Sequence, residues 1–166
     1  ELGGYPLVID KSGSQLGRGE PVADTAEVLT RMAYGIVWRT FEQSRVEQMA
    51  RVATVPVVNA LTDEFHPCQV LADFLTLAQF KGGVDNLENL KIAYVGDAAN
   101  NMSNSYLLAG AVAGMDVRVA GPNGYLPDQK IVEDAQAIAE TTGGSIMVTV
   151  DPEQAVDGVD CIFTDT

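Results

Sequence analysis

The sequence has 166 residues, 46% of them hydrophobic and 20% charged, the balance of an ordinary globular chain with room for one domain or one and a half. Ten Lys and Arg against 23 Asp and Glu give a formal net charge of −13, which excludes nucleic acid and acidic membrane surfaces as partners but leaves room for a small anionic substrate held by a local arginine. No apolar run approaches the roughly 18 residues of a membrane span, and Cys68 and Cys161 match no zinc or redox spacing, so they read as free buried thiols in a reducing compartment such as the cytoplasm.

Strand-like and helix-like segments alternate along the chain. Residues 5–10 (Y-P-L-V-I-D) read as a strand. Residues 22–33 place Val22, Ala26, Leu29 and Ala33 at helical spacing, and 35–39 (G-I-V-W-R) read as a short buried strand. A helix over 43–53 and a strand over 55–60 follow. The long helix 66–81 carries Val70, Leu71, Phe74, Leu77 and Ala78 on one face, and Gly82-Gly83 stops it. Residues 91–97 (K-I-A-Y-V-G-D) are the clearest strand; a helix over 101–114 follows and ends at Gly114. A strand at 116–121, a helix at 128–142, a strand at 145–150, a short helix at 152–157 and a strand at 161–165 complete the pattern.

Repeated β-α-β predicts an α/β fold of parallel sheets with helices on both faces. The helix 66–81 is long for a crossover, and K-G-G-V-D-N-L-E-N-L after it is linker-like. The expected organisation is two doubly wound parallel-sheet units, both incomplete, joined by that helix: 1–65, the bridge 66–81, and 82–166. The pattern opens in mid-motif at Glu1 and stops at Thr166 just past a strand, as in an internal piece of a longer protein.

Ligands of parallel sheets gather beyond the carboxyl ends of the strands. Five segments lie there: the glycine-rich S-G-S-Q-L-G-R-G-E with Gln15 and Arg18; Trp38-Arg39-Thr40; the His66 segment D-E-F-H-P-C-Q-V-L-A-D; G-D-A-A-N-N-M-S-N-S; and Thr164-Asp165. His66 is the one histidine of the chain. Pro67 suits the first turn of a helix, where its missing N–H would have no partner. An imidazole, the Gln69 amide and the N–H groups of that turn then converge where an anion or a carbonyl is favoured. Each segment also has a plain structural reading: a turn at the glycines, an ion pair at Arg39, a helix cap at His66, Asn100 or Asn101, a turn at Asp165. Neither G-x-G-x-x-G nor the P-loop pattern occurs, no Ser-His-Asp set is evident, and one histidine among scattered carboxylates offers no metal site.

Taken together, these segments resemble the ornithine carbamoyltransferase family over essentially the whole chain. F-H-P-C-Q-V-L-A-D resembles its H-P-x-Q signature, shared with aspartate carbamoyltransferase, and V-W-R-T resembles the segment that supplies a carbamoyl phosphate arginine. S-G-S-Q-L-G-R-G-E-P-V-A-D-T-A resembles the loop and helix that reach a neighbouring subunit's site. G-D-A-A-N-N-M-S-N-S resembles the ornithine-binding turn, and F-T-D-T the stretch before W-x-S-M.

The resemblance implies that Arg39, His66 and Gln69 bind carbamoyl phosphate, with Arg39 and His66 donating to its carbonyl oxygen during catalysis. It implies that Gln15 reaches the phosphate of an adjacent subunit, that Asn101 and Asp165 hold the α-amino acid end of L-ornithine, and that Asn100 shapes the turn. It further implies transfer of the carbamoyl group to the side-chain amine, giving citrulline and phosphate in arginine metabolism. No cofactor or metal is implied; the assembly is a homo-oligomer, a trimer or a multiple of trimers; and 1–65 and 82–166 become parts of the carbamoyl phosphate-binding and ornithine-binding domains. The family's S-T-R-T-R, W-x-S-M and H-C-L-P elements do not occur in these 166 residues. The isolated chain is therefore expected to be inactive and poorly folded, which detectable citrulline formation by it would overturn. A carbamoyltransferase for another amine (aspartate, putrescine or acetylornithine) and a non-catalytic binding subunit on the same fold remain open alternatives.

Overall fold

The computed structural model describes residues 3–10 and 19–165. It divides at Ala60 and Leu61 into two compact units. The first contains α1 (Val22–Leu29), β1 (Ile36–Arg39), α2 (Gln43–Val52) and most of β2 (Val57–Leu61), with β1 and β2 paired in a two-stranded sheet. Val22 and Ala26 of α1, Ile36 of β1 and Met49 of α2 form its small core.

Three expectations for this unit need correction. Residues 5–10 carry no strand: Tyr5 and Val8 are 99% and 86% exposed, and no ladder runs beside them among the described residues, so their β propensity is not matched by a neighbouring strand. Helix α1 stops four residues short of 33, because Arg31 N–H turns to Val28 O (3.1 Å) and Met32 N–H to Leu29 O (3.0 Å) while the Thr30 hydroxyl pairs with Thr54 (2.8 Å). Strand β1 is also less buried than its apolar run suggests, since Ile36 is inside and Val37 faces out.

The second unit is built on a four-stranded parallel sheet of order β5-β4-β3-β6, from β3 (Lys91–Val95), β4 (Asp116–Ala120), β5 (Ser145–Thr149) and β6 (Cys161–Phe163). Ile92, Ala93 and Tyr94 are consecutive and all buried, so β3 is covered on both faces, as expected of a central parallel strand. The helices are α3 (Pro67–Phe80), α4 (Asn101–Val112), α5 (Gln129–Thr142) and the short α6 (Pro152–Val156). Helix α3 ends where Gly82 and Gly83 take φ of 97° and 107°, with Gly83 N–H returning to Ala78 O at 2.7 Å. Val70, Phe74 and Leu77 of α3 belong to the core of this second unit, so the helix read from sequence as a separate bridge packs with the residues after it.

The chain winds β3-β4-β5 to one side and returns with β6 on the other side of β3. The carboxyl ends of β3 and β6 therefore flank a reversal of strand order, the place where such sheets open a crevice. The loop after β3 is held tightly there. Gly121 admits it, because a Cβ at that position would lie 2.6 Å from Tyr125 O and 2.9 Å from Ala98 Cβ. Ala98 N–H donates to Tyr125 O at 2.9 Å.

Candidate active site

The site begins with the turn before α3. Thr62 N–H donates to Phe65 O (2.8 Å) and Phe65 N–H returns to Thr62 Oγ1 (3.0 Å). The first turns of α4 then hold this turn from outside. Asn101 Nδ2 donates to Thr62 O (3.0 Å), Asn104 Nδ2 to Glu64 O (3.1 Å), and Ser105 Oγ accepts the His66 N–H (2.7 Å) while donating to Asn101 O (2.5 Å). These bonds explain why α4 buries Asn104 and Ser105 beside Met102 and Tyr106 rather than showing one apolar stripe. Asn100 caps the helix, its Oδ1 accepting from Met102 N–H and Ser103 N–H at 3.0 Å each.

His66 occupies the N-cap position of α3 with Pro67 at the first helical position, but its side chain makes no capping bond. Its backbone N–H is spent on Ser105 and so is not among the N–H groups of that turn open to a ligand. The ring Nδ1 is buried without a partner, so Nε2 is the nitrogen able to reach a ligand. In the neutral ring, placing the proton on Nε2 leaves a buried acceptor rather than a buried donor unpaired, the less costly arrangement, and makes Nε2 a donor.

A cleft of about 400 Å³ opens here. His66, Gln69 and Asp73 line it from α3 and the turn before it, Tyr94 from β3, Asn101, Met102 and Tyr106 from α4, and Phe163, Thr164 and Asp165 from the end of β6. Gln69 Nε2 donates to Asp73 Oδ1 (3.0 Å), and Tyr106 OH donates to Asp73 Oδ2 (2.5 Å). The Tyr106 ring stacks on Phe163 with centroids 4.5 Å apart. Burial first, then the Asp73 carboxylate, push the Tyr106 phenol far above its ordinary range, so it remains a proton donor. Burial also raises the Tyr94 phenol; its oxygen accepts from Asn100 Nδ2 (2.8 Å) and its proton goes to Asp97 O (3.2 Å). A larger depression of about 630 Å³ beside Asp63, Glu64 and Asp128 gathers none of the residues expected from sequence.

The cleft brings together His66, Gln69, Asn101 and Asp165. Arg39 ends β1 in the first unit and is exposed; next to it, Trp38 lies under the Arg45 guanidinium at 5.7 Å. Gln15 lies outside the described residues. Cys68 and Cys161 are half-buried thiols outside any disulfide rather than fully buried ones, and burial raises the Cys161 thiol. Sequence reasoning missed Asp73 and Tyr106. Asp73 stands four residues after Gln69, the spacing that places two side chains on one helix face, and that signal was available. The Tyr106 contact depends on how α3 and α4 pack. Among the described residues no helix is long and apolar enough to cross a membrane, and no group of three His, Cys, Asp or Glu side chains is placed to hold a metal ion.

Residues 1–79 match the family model of the aspartate/ornithine carbamoyltransferase carbamoyl-P binding domain, and residues 88–166 match that of the Asp/Orn binding domain. The ornithine carbamoyltransferases of Bifidobacterium longum subsp. infantis and Renibacterium salmoninarum are 75% and 56% identical to the chain over all 166 residues, which cover 52% of each relative. The solved structure of ornithine carbamoyltransferase from Pyrococcus furiosus superposes with a TM-score of 0.91 at 44% identity, covering 99% of this chain and 51% of that one. The Thermus thermophilus enzyme gives 0.84 at 42% identity, covering 99% and 53%. The chain spans about half the length of the curated relatives it matches. With two domain models of one family matched in order and a shared fold at this identity, the chain belongs to the aspartate/ornithine carbamoyltransferase family.

Proposed function

We propose that the protein carrying this sequence transfers the carbamoyl group of carbamoyl phosphate to the side-chain amine of L-ornithine, giving L-citrulline and phosphate; its relatives are named ornithine carbamoyltransferases. The observation that carries the reading is the cleft at the ends of β3 and β6, where His66, Gln69, Asn101 and Asp165 meet. The neutral amine attacks the carbonyl carbon and a C–N bond forms, the bond from that carbon to the bridging phosphate oxygen breaks, and the amine's proton leaves on the phosphate. The His66 Nε2–H and the Arg39 guanidinium donate to the carbonyl oxygen, where negative charge grows; such donors are often worth about 2.7–4 kcal/mol each. Arg39 is assigned on its V-W-R-T motif. Gln69 and, from an adjacent subunit, Gln15 are further carbamoyl phosphate ligands, beside the phosphate-binding residues of the family's S-T-R-T-R element, which these 166 residues do not contain.

Asp165 and Asn101 are assigned to the ammonium and carboxylate of ornithine. The cleft favours this acceptor over aspartate: its described lining contains Asp73 and Asp165 and no Lys or Arg, so a dicarboxylate would meet carboxylates. Residues 1–65 and 82–166 are read as parts of the carbamoyl phosphate-binding and ornithine-binding domains, in a cytoplasmic homo-oligomer of trimeric type. The test is a panel of ornithine, aspartate, putrescine and acetylornithine with carbamoyl phosphate, scored by product and phosphate release. Preference for ornithine is expected. Preference for another amine overturns the acceptor, and no transfer to any amine leaves the binding-subunit reading in place.

A further inference from the structure

Gln69 and Asp73 stand one turn apart on α3, and the bond between them has a direction. The Gln69 Nε2–H donates to Asp73 Oδ1 at 3.0 Å. The second carboxylate oxygen is occupied by the Tyr106 hydroxyl at 2.5 Å, and the Tyr106 ring is clamped by its stack on Phe163. An ionised carboxylate accepts hydrogen bonds and donates none. Asp73 therefore distinguishes the two ends of the Gln69 amide and turns the nitrogen toward itself. The carbonyl oxygen is left on the other branch of the planar group, at the exposed edge of the cleft.

We propose that Asp73, braced by Tyr106, is a positioning residue that presents Gln69 to the cleft as a hydrogen-bond acceptor, so that the site selects an acyl phosphate with an N–H group on its carbonyl carbon over one with a methyl group there. This rests on the carbamoyl-transfer reading above and deepens it. Carbamoyl and acetyl phosphate share shape, carbonyl and phosphate. They differ in that an amino group donates and a methyl group does not. A carbonyl oxygen fixed opposite that position rewards the first and is left unpaired by the second, and sites built this way discriminate far better than apolar pockets do. An amide free to turn over would offer its own N–H groups to the substrate's amino group for part of the time, and the discrimination would fade.

The test uses the protein carrying this sequence, assayed for citrulline, with acetyl phosphate as a competitive inhibitor against carbamoyl phosphate. Asp73→Asn, whose amide can donate to Gln69 Oε1 and reverse the bond, is expected to raise the KM for carbamoyl phosphate roughly tenfold, the scale of a lost and mispaired hydrogen bond. The inhibition constant of acetyl phosphate should change by less than about twofold, since that ligand never used the bond. In a Gln69→Ala background Asp73→Asn should have no further effect on the KM, because Asp73 acts through Gln69. Asp73→Glu, which keeps an acceptor-only group, should restore part of the discrimination. Tyr106→Phe keeps the stacked ring and removes only the brace, so it repeats the same cycle with a smaller effect and serves if Asp73→Asn fails to fold. Independent, multiplying effects of the position 69 and 73 substitutions, or equal changes for the two acyl phosphates, overturn the proposal while the transfer reading stands. A wild-type protein that transfers no carbamoyl group overturns both.

Discussion

The His66 N–H donates to Ser105 Oγ at 2.7 Å, and that hydroxyl donates in turn to Asn101 O at 2.5 Å. One serine on α4 thus fixes the backbone of the residue that begins α3, and with it the direction in which the imidazole leaves the chain. Ser105 is buried, so removing its hydroxyl strands the His66 N–H without water to replace it. Ser105→Ala is expected to cost about 1–3 kcal/mol in urea unfolding. It should also lower kcat/KM for carbamoyl transfer by about tenfold, through the loss of ring placement.

His66 itself should behave in the opposite proportion. Its side chain makes no capping bond and its Nδ1 is buried unpaired, so the ring contributes little net stability. His66→Ala is expected to lower kcat by about 10²–10³, the usual loss for one donor to a developing oxyanion. The free energy of urea unfolding should change by less than about 1 kcal/mol, because removing the ring also removes an unpaired buried nitrogen. Unfolding at unchanged activity per folded molecule would return His66 to a purely structural role.

The periodic parts of this fold are readable because local pattern and tertiary environment agree. Residues 91–95 are a strand in either view, since Ile92, Ala93 and Tyr94 are a continuous apolar run and β3 is covered on both faces. Residues 129–142 start at Asp128, whose side chain caps Lys130 N–H, and stop at Gly143 with φ of 84°. Residues 5–10 carry an equally good local pattern, but a strand exists only beside another strand, and pattern does not report the neighbour. The site divides in the same way. His66 and Gln69 announce themselves by their place at a helix start, whereas Tyr106 reads as one more aromatic on an apolar helix until α3 puts Asp73 against its hydroxyl. Asn101 shows why motif and geometry must be read together: one N–H of its amide already holds Thr62 O, so the second N–H is what remains to meet a ligand's carboxylate.

Asp160 ties the sheet to the end of α3. Its carboxylate accepts the Lys91 N–H at 3.0 Å and pairs with Lys81 Nζ at 3.3 Å. The backbone bond from Lys91 is the main cause that holds this carboxyl below the ordinary carboxylate range, with Lys81 adding to it. A group whose folded value lies below its unfolded value stabilises the fold fully above the unfolded value of about 4 and loses that contribution as pH falls through the folded one. Asp160→Asn is therefore expected to destabilise the protein at pH 7 by about 1 kcal/mol, the group being partly exposed and screened. The difference between the two proteins should shrink steadily below pH 4, a convergence that thermal melts across pH 2.5–7 would reveal.

Asp165 supplies the sharpest check on which substrate the cleft holds. It lies just past β6 at the mouth of the reversal in strand order, while His66 and Gln69 approach from α3. If Asp165 binds the ammonium of the amino acid, Asp165→Asn removes one charge-assisted bond from that substrate alone. The KM for ornithine should then rise by about ten- to a hundredfold, the range of about 1.5–3 kcal/mol for a hydrogen bond to a charged group. The KM for carbamoyl phosphate should stay within about twofold, and so should the unfolding midpoint, because Asp165 is exposed. The opposite split, with carbamoyl phosphate weakened and ornithine untouched, would exchange the roles assigned to the two ends of the cleft. It would also remove the electrostatic argument against aspartate as acceptor, since that argument places Asp165 beside the amino acid.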